Sequence, residues 1–182
     1  ADVRAELAMN PSVPAGVMQI LVSDKDFLVR MALAKNPSLT TEVALLLGRD
    51  ANVSVREALA GNPRVAPEIL ERLLDDGSLA VRIQAMRNPS LSPLALAQAL
   101  LREGELRAVE LLEVLKPLPY LAQEILAERG GDLLRATLAQ APWVDGAVKA
   151  RLRNDPVPFV RGMASLNRED GAEPPPSSPP GG

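Results

Sequence analysis

The chain has 182 residues and a net charge of −3, and 47% of its residues are hydrophobic but only 2% are aromatic. It contains no cysteine and no histidine, which excludes disulfides, thiolate chemistry and histidine-based acid–base catalysis. The concentrated positive charge typical of nucleic-acid-binding proteins is also missing. No apolar run of 18 residues and no signal peptide is visible, so we expect no membrane partner and a cytoplasmic location.

A nine-residue motif recurs four times in the first ninety residues. Each copy begins with Val-Arg and ends with Asn-Pro, and the copies span 3–11, 29–37, 55–63 and 81–89. The arginines therefore recur every 26 residues, a period typical of stacked repeats that bury their apolar faces against one another. Because the apolar residues are mainly Leu, Ala and Val, the composition favours packed helices over a β-sandwich.

The sequence of each unit predicts two helices. In the motif at 29–37, Val29 is followed four and five residues later by Leu33 and Ala34, which form one apolar stripe at helical spacing. This first helix should end at Asn-Pro, because proline disfavours continuation of a helix. Signals such as Ser92-Pro93 then begin a second, shorter helix, either α or partly 3₁₀.

The pattern weakens after the fourth copy. Lys116-Pro117 replaces Asn-Pro in a degenerate fifth unit, Leu134-Arg135 begins a recovered sixth, and Val160-Arg161 begins a half unit. We therefore predict an all-α solenoid of about six and a half 26-residue two-helix repeats over residues 1–168. Residues 169–182 are rich in Pro, Ser and Gly, and we expect a disordered tail or linker there.

The unit Val-Arg…Leu-Ala-x-Asn-Pro, followed by a Leu-rich half and an Asp, resembles the leucine-rich repeat variant family. It is also similar to HEAT-like repeats, whose units share an Asp and an Arg six residues apart. The resemblance covers about residues 1–168 and is strongest over 1–101. It implies a right-handed superhelix used mainly for protein contacts, and it implies no particular activity. A cysteine-ligated iron–sulfur module known in one member has no counterpart here, so we expect no cofactor.

Two columns of charged residues recur in step along the units. The arginines are Arg4, Arg30, Arg56, Arg82, Arg135 and Arg161, and the aspartates are Asp24, Asp50, Asp76 and Asp155. The arginines suit recognition of phosphates or carboxylates, but they also suit a structural ladder in which each Arg pairs with an Asp of its own or the neighbouring unit. We favour the structural ladder, because an Asp precedes most of these arginines by six residues.

The asparagines of the motif form a third column. Its members are Asn10, Asn36, Asn62, Asn88 and Asn167. A row of amides suits hydrogen bonding to a ligand, but asparagine at a helix end more often satisfies the backbone of the turn. We favour the turn role.

The carboxylates give no sign of catalysis. Neither Glu110, Glu113 and Glu124 nor Asp75-Asp76 has the spacing of a metal site or of an acid–base pair. Gly130-Gly131 has no Lys or Ser after it and no strand before it, so it predicts a turn and not a phosphate loop. We therefore predict no catalytic residue and no metal site.

The positions that the repeat leaves variable are the most informative for binding. The residue after each Arg and the residue before each Asn lie four apart on one face of the first helix: Ala5 and Met9, Met31 and Lys35, Glu57 and Gly61, Ile83 and Arg87, Leu111 and Leu115. By analogy with HEAT-like repeats this face is concave, and its apolar members suit docking of a partner helix or extended segment. Burial between units is the alternative. Our candidate partner-binding residues are Met31, Lys35, Glu57, Ile83 and Arg87.

The leading functional prediction is a non-enzymatic scaffold that binds an unidentified protein along this face. The alternative is a nucleic-acid-binding HEAT-like protein, including a base-repair enzyme, with the Arg column on phosphates and Trp143 or Tyr120 at a base. The sequence pI of about 5.1 and the scarcity of aromatic residues disfavour it. A third possibility is a passive spacer or dimerisation arm, and the oligomeric state is left open.

Overall fold

The computed structural model of the chain describes residues 2–166, and this part of the chain is entirely helical. Thirteen α-helices and no strands occur there, which confirms the all-α prediction. Within these residues no helix is long and apolar enough to cross a membrane. Asn167 and the proposed disordered tail at 169–182 lie outside the described residues.

The chain divides into two compact units, one up to Ala99 and one from Leu100 onward. The helices of the first unit are α1 (Asp2–Met9), α2 (Ala15–Leu21), α3 (Phe27–Ala34), α4 (Thr41–Leu47), α5 (Val53–Ala60), α6 (Pro67–Leu73) and α7 (Leu79–Arg87). Helix α8 (Pro93–Arg102) spans the boundary. The helices of the second unit are α9 (Glu105–Leu115), α10 (Tyr120–Arg129), α11 (Asp132–Gln140), α12 (Gly146–Leu152) and α13 (Pro158–Leu166).

In the first unit the odd-numbered helices carry the Val-Arg motif and pack in sequence, α1 on α3, α3 on α5 and α5 on α7. Their apolar stripes are completely buried at Val29, Leu33, Val55 and Leu59. The short even-numbered helices add a second set of buried residues, including Leu47 and Leu70. The apolar spacing in the sequence therefore corresponds to the buried side of α3 and α5. In α1 the same positions, Val3 and Leu7, are exposed, so the predicted stripe is not buried there.

The second helices are α-helical throughout the described residues, with no 3₁₀ helix among them. Helices α2, α4, α6 and α12 have seven residues each, whereas α8 and α10 have ten. The longer α8 takes up the extra residues at the point where the sequence pattern slips. Gly104 follows it at φ 83°, a left-handed conformation that glycine adopts without steric cost.

In the second unit α11 contacts both α9 and α13, and α10 contacts α12. Helix α11 therefore holds the central position, with Leu134, Leu138 and Ala139 buried. Glu105 acts as a cap for this helix, because its Oε1 accepts from the backbone N–H groups of Leu133 at 2.6 Å and Leu134 at 3.2 Å.

Candidate functional site

An open groove of about 550 Å³ lies on the first unit, across α3, α5 and the start of α7. Its lining residues are Met31, Lys35, Ser54, Glu57, Ala58, Gly61, Asn62, Pro63 and Gln84. The volume falls within the range of about 300–1,000 Å³ that is common for ligand sites in proteins. The groove is therefore large enough to be a candidate binding site.

The groove exists because α5 presents small residues to it. Ser54, Ala58 and Gly61 are four and three residues apart, so they share one helix face, which differs from the face of the buried Val55 and Leu59. Met31 and Lys35 lie on one side of these small residues, and Gln84 of α7 lies on the other. The floor is therefore low and the walls are formed by longer side chains.

Three of the five residues predicted to bind a partner line this groove. Met31 and Glu57 are half-buried there, and Lys35 is exposed. Ile83 and Arg87 do not line it, although Ile83 is half-buried and Arg87 exposed on α7.

The proposed row does not continue as a surface into the second unit. Leu111, which occupies the same motif position in α9, is only 2% exposed. It belongs to the core of that unit together with Ala108 and Leu112. Burial between helices, the alternative considered from the sequence, therefore applies at this position.

Sequence reasoning did not single out Ser54, Ala58, Pro63 or Gln84 as groove residues. A signal for the first two was present, because small residues at 54, 58 and 61 have helical spacing on the side away from the Val-Leu stripe. Gln84 and Pro63 carried no such signal.

The charged side chains of the groove are available to a partner. Lys35 and Glu57 form no ion pair with any residue in the range 2–166, and the Gln84 amide makes no hydrogen bond within that range. The groove thus combines an apolar surface at Met31 with one positive, one negative and one neutral polar group. This mixture suits a peptide segment better than a purely apolar or purely anionic ligand.

The Arg and Asp columns are joined by a repeated bond pattern. Nε of Arg30 donates to Oδ2 of Asp50 at 2.6 Å, and Nη2 donates to Oδ1 at 3.0 Å. Nη1 of the same Arg30 donates to the backbone carbonyl of Asp24 at 2.6 Å. Each guanidinium of this kind holds the carboxylate twenty residues ahead and the carbonyl six residues behind.

The same geometry recurs along the chain with local differences. Arg56 repeats it with Asp76 and Asp50, and Arg135 bonds both carboxylate oxygens of Asp155 in the second unit. Arg4 holds the carboxylate of Asp24. Nη1 of Arg82 donates to the Asp76 carbonyl, and Nη1 of Arg161 donates to the Asp155 carbonyl.

These contacts shift the acidity of the aspartates. The hydrogen bond from Arg56, the largest influence, lowers the pKa of Asp76 below its ordinary value. At Asp50 burial is the largest single influence and raises the pKa. The hydrogen bonds from Arg30 and from the Asn52 N–H, together with the positive charges of Arg30 and Arg56, outweigh it, so the pKa is lowered. Both carboxylates are therefore held in the charged form.

The Asn column connects neighbouring turns. Nδ2 of Asn62 donates to the carbonyl oxygens of Ala34 at 2.8 Å and Asn36 at 2.9 Å, and Oδ1 accepts from the Arg64 N–H at 2.9 Å. Asn36 and Asn88 make the equivalent bonds one unit before and one unit after. All three side chains are buried, so these amides are not exposed for ligand binding.

No protein-family model, no curated protein and no solved structure matches this chain. Among residues 2–166 no cluster of three or more acidic, cysteine or histidine side chains is arranged to hold a metal ion.

Proposed function

We propose that this chain is a non-enzymatic protein-interaction scaffold of the leucine-rich repeat variant type, built as a right-handed α-solenoid of 26-residue two-helix repeats. The repeated Arg–Asp and Asn bonds support the repeat, because the same atoms meet at 20, 26 and 28 residues of separation in successive units. In this proposal those columns are structural and fix the register between neighbouring units.

The groove on α3 and α5 is the observation that carries the binding function. It is wide, it has a floor of small residues, and its charged side chains lack ion pairs in the described part of the chain. Met31 offers a flexible apolar surface that adapts to a partner side chain. Lys35 and Glu57 select a segment with an acidic and a basic residue placed against them.

The partner we propose is therefore an extended or helical segment of another protein. Separately, we propose a cytoplasmic location. Ile83 and Arg87 of α7 extend the contact surface beyond the groove in this proposal. Their neighbour Gln84 lines it, and Ile83 adds apolar area next to it.

A photo-crosslinking amino acid at Ser54, an exposed residue that lines the groove, tests this function. With the native lysate, the probe at position 54 should give a defined cross-linked polypeptide, and a matched probe at the exposed Glu71 of α6 should not. Ile83→Glu should reduce the product from position 54 while leaving the helical circular dichroism unchanged. Equal products from positions 54 and 71 would contradict the proposal.

Nucleic-acid binding through the Arg column is less well supported. The guanidiniums of Arg30, Arg56 and Arg135 already bond carboxylates at 2.6–2.8 Å, which neutralises them. A salt-dependent shift of labelled single- or double-stranded DNA would favour this alternative instead.

A further inference from the structure

A second pocket, of about 130 Å³, lies between α4 and α6 in the first unit and shares no lining residue with the groove. Leu45 of α4 and Ile69 and Leu73 of α6 form its apolar lining. Ile69 and Leu73 are buried, whereas Leu45 is 38% exposed, so this lining runs from the core of the unit to its surface. A ligand in the pocket can therefore place an apolar group against the core.

The pocket is open at Gly48, the residue that follows α4. Its φ of −65° is one that any residue adopts, and an added Cβ would have no contact closer than 3.4 Å. At the same position of the repeat, the unit before has Val22 and the unit after has Leu74. The backbone therefore does not require glycine here, and its use leaves space where the neighbouring units have an aliphatic side chain.

Two arginines of the lining have no partner in the part of the chain that the structure describes. Arg49 and Arg72 are exposed, and neither guanidinium forms an ion pair or a hydrogen bond with residues 2–166. The repeat does not require them, because positions 23 and 75 hold Ser and Asp where this unit has Arg49, and positions 20 and 46 hold Ile and Leu where the next unit has Arg72. Two variable positions thus bring unpaired positive charge to one pocket.

The one acidic residue of the lining does not cancel this charge. Both carboxylate oxygens of Asp76 accept from Arg56, and Oδ1 also accepts from the Ser78 N–H. Asp76 and Arg56 therefore balance each other, and no further acidic side chain lines the pocket. The positive charges of Arg49 and Arg72 remain for a ligand.

This combination suits a carboxylate attached directly to an aliphatic group. A guanidinium donates two parallel hydrogen bonds to the two oxygens of a carboxylate, and an aliphatic group gains free energy on contact with the apolar lining. The lining contains no hydroxyl, amide or lysine side chain. A phosphate is less well matched, because its additional oxygen would face apolar side chains without a donor.

We propose that the pocket between α4 and α6 is a second binding site, which takes an aliphatic carboxylate. Arg49 and Arg72 bind the carboxylate, and the alkyl group packs against Leu45, Ile69 and Leu73. The ligand is either a small free acid or the C-terminal residue of a peptide that ends in Leu or Val. The site does not depend on the function proposed for the groove.

Titration of the ¹⁵N-labelled full chain with 4-methylpentanoate, followed by NMR, tests the site. We expect saturable shifts of the Gly48 amide and of the side-chain N–H signals of Arg49 and Arg72. Arg49→Gln and Arg72→Gln should each weaken binding by about tenfold or more, because each removes a charged hydrogen-bond donor. Arg64→Gln changes an exposed arginine outside the pocket and should bind like the wild type.

Gly48→Leu tests the shape of the pocket. It introduces the side chain that the next unit has at Leu74, and it should abolish binding while the helical circular dichroism is retained. Gly16→Leu on α2 is the matched control, since a Cβ there has no atom within 4 Å, and it should bind normally. If Gly48→Leu does not fold, the two arginine variants decide the question.

A peptide that ends in leucine separates the two sources of the carboxylate. Tighter binding of the peptide than of 4-methylpentanoate, with loss on C-terminal amidation, identifies a peptide terminus, and the reverse order identifies a small acid. No saturable shift with either probe would overturn the proposal. Inorganic phosphate that binds as tightly as 4-methylpentanoate would also overturn it, because the apolar lining would then contribute nothing.

Discussion

Arg56 and Asp76 form a two-bond ion pair across twenty residues, with Nε 2.6 Å from Oδ2 and Nη2 3.0 Å from Oδ1. The third nitrogen, Nη1, donates at 2.7 Å to the carbonyl of Asp50. One guanidinium therefore connects the turn before α5 with the turn before α7. The side chains of Arg56 and Asp76 are only 17% and 8% exposed, so water screens this pair less than a surface ion pair.

Replacing Arg56 with Met should lower the free energy of unfolding by about 2–4 kcal/mol, because it leaves the largely buried carboxylate of Asp76 without its guanidinium partner. The exposed Arg64 has no ion pair with the described residues, and Arg64→Met is the matched control, expected within about 0.5 kcal/mol of the wild type. Urea unfolding followed by circular dichroism measures both. Equal stability of the two variants would mean that the pair contributes nothing.

Asn62→Asp should destabilise the chain by about 2–4 kcal/mol, because a carboxylate would then face the carbonyl oxygens of Ala34 and Asn36 in a buried site. Asn10→Asp makes the same change in the first unit, where Oδ1 accepts from the Ser12 N–H and the amide faces no buried carbonyl. We expect this control to remain within about 0.5 kcal/mol of the wild type. Similar losses at both positions, measured by thermal unfolding, would argue against the role assigned to the amide.

Stability should fall as the pH drops below about 4, the ordinary range of aspartate. The Arg56 hydrogen bond lowers the pKa of Asp76 in the folded chain, so the stabilisation is present above the unfolded pKa and is lost as the pH falls through the folded pKa. Asp76→Asn should flatten the dependence of the urea midpoint on pH between about 5 and 2. Glu71→Gln at the exposed position on α6 should leave it unchanged. An unaltered slope for Asp76→Asn would contradict this assignment.

Gly130→Ala should destabilise the second unit, because a Cβ at this position would collide with the backbone carbonyl of Leu126 and crowd the side chain of Leu134. Small-to-large changes of this kind cost about 1–3 kcal/mol. Gly146→Ala at the start of α12 has no atom within 4 Å of the new Cβ and should be neutral or slightly stabilising. Differential scanning calorimetry compares the two variants, and an equal midpoint would show that the turn at Gly130 relaxes.

The sequence predicts the helical architecture well because apolar spacing directly reports which side of a helix is buried. Val55 and Leu59 illustrate this, since both were part of the predicted stripe and both are completely buried. The charged columns were predictable only in part. A recurring Asp and Arg indicate a contact, but they do not show that Arg56 reaches both the next unit's carboxylate and its own unit's Asp50 carbonyl.

The groove was the least predictable feature. The repeat predicts which face of the first helix is variable, and Met31, Lys35 and Glu57 of that face line the groove. Its depth depends on the small side chains at Ala58 and Gly61. A search of the sequence for large apolar and charged residues does not find such positions. The sequence pattern likewise does not show where the groove ends, and Ile83 and Arg87 lie outside it.

Filling the groove is the most direct test of the claim that it binds a protein partner. Gly61 has an ordinary φ of −79°, and a Cβ there would have no contact closer than 3.6 Å, so Gly61→Trp fills the groove without straining the backbone. Gly61→Ala is the matched control. Affinity capture with quantitative mass spectrometry should show a defined set of proteins retained by the wild type and Gly61→Ala and reduced at least tenfold by Gly61→Trp. Recovery of the same proteins in equal amounts from all three chains would contradict the account.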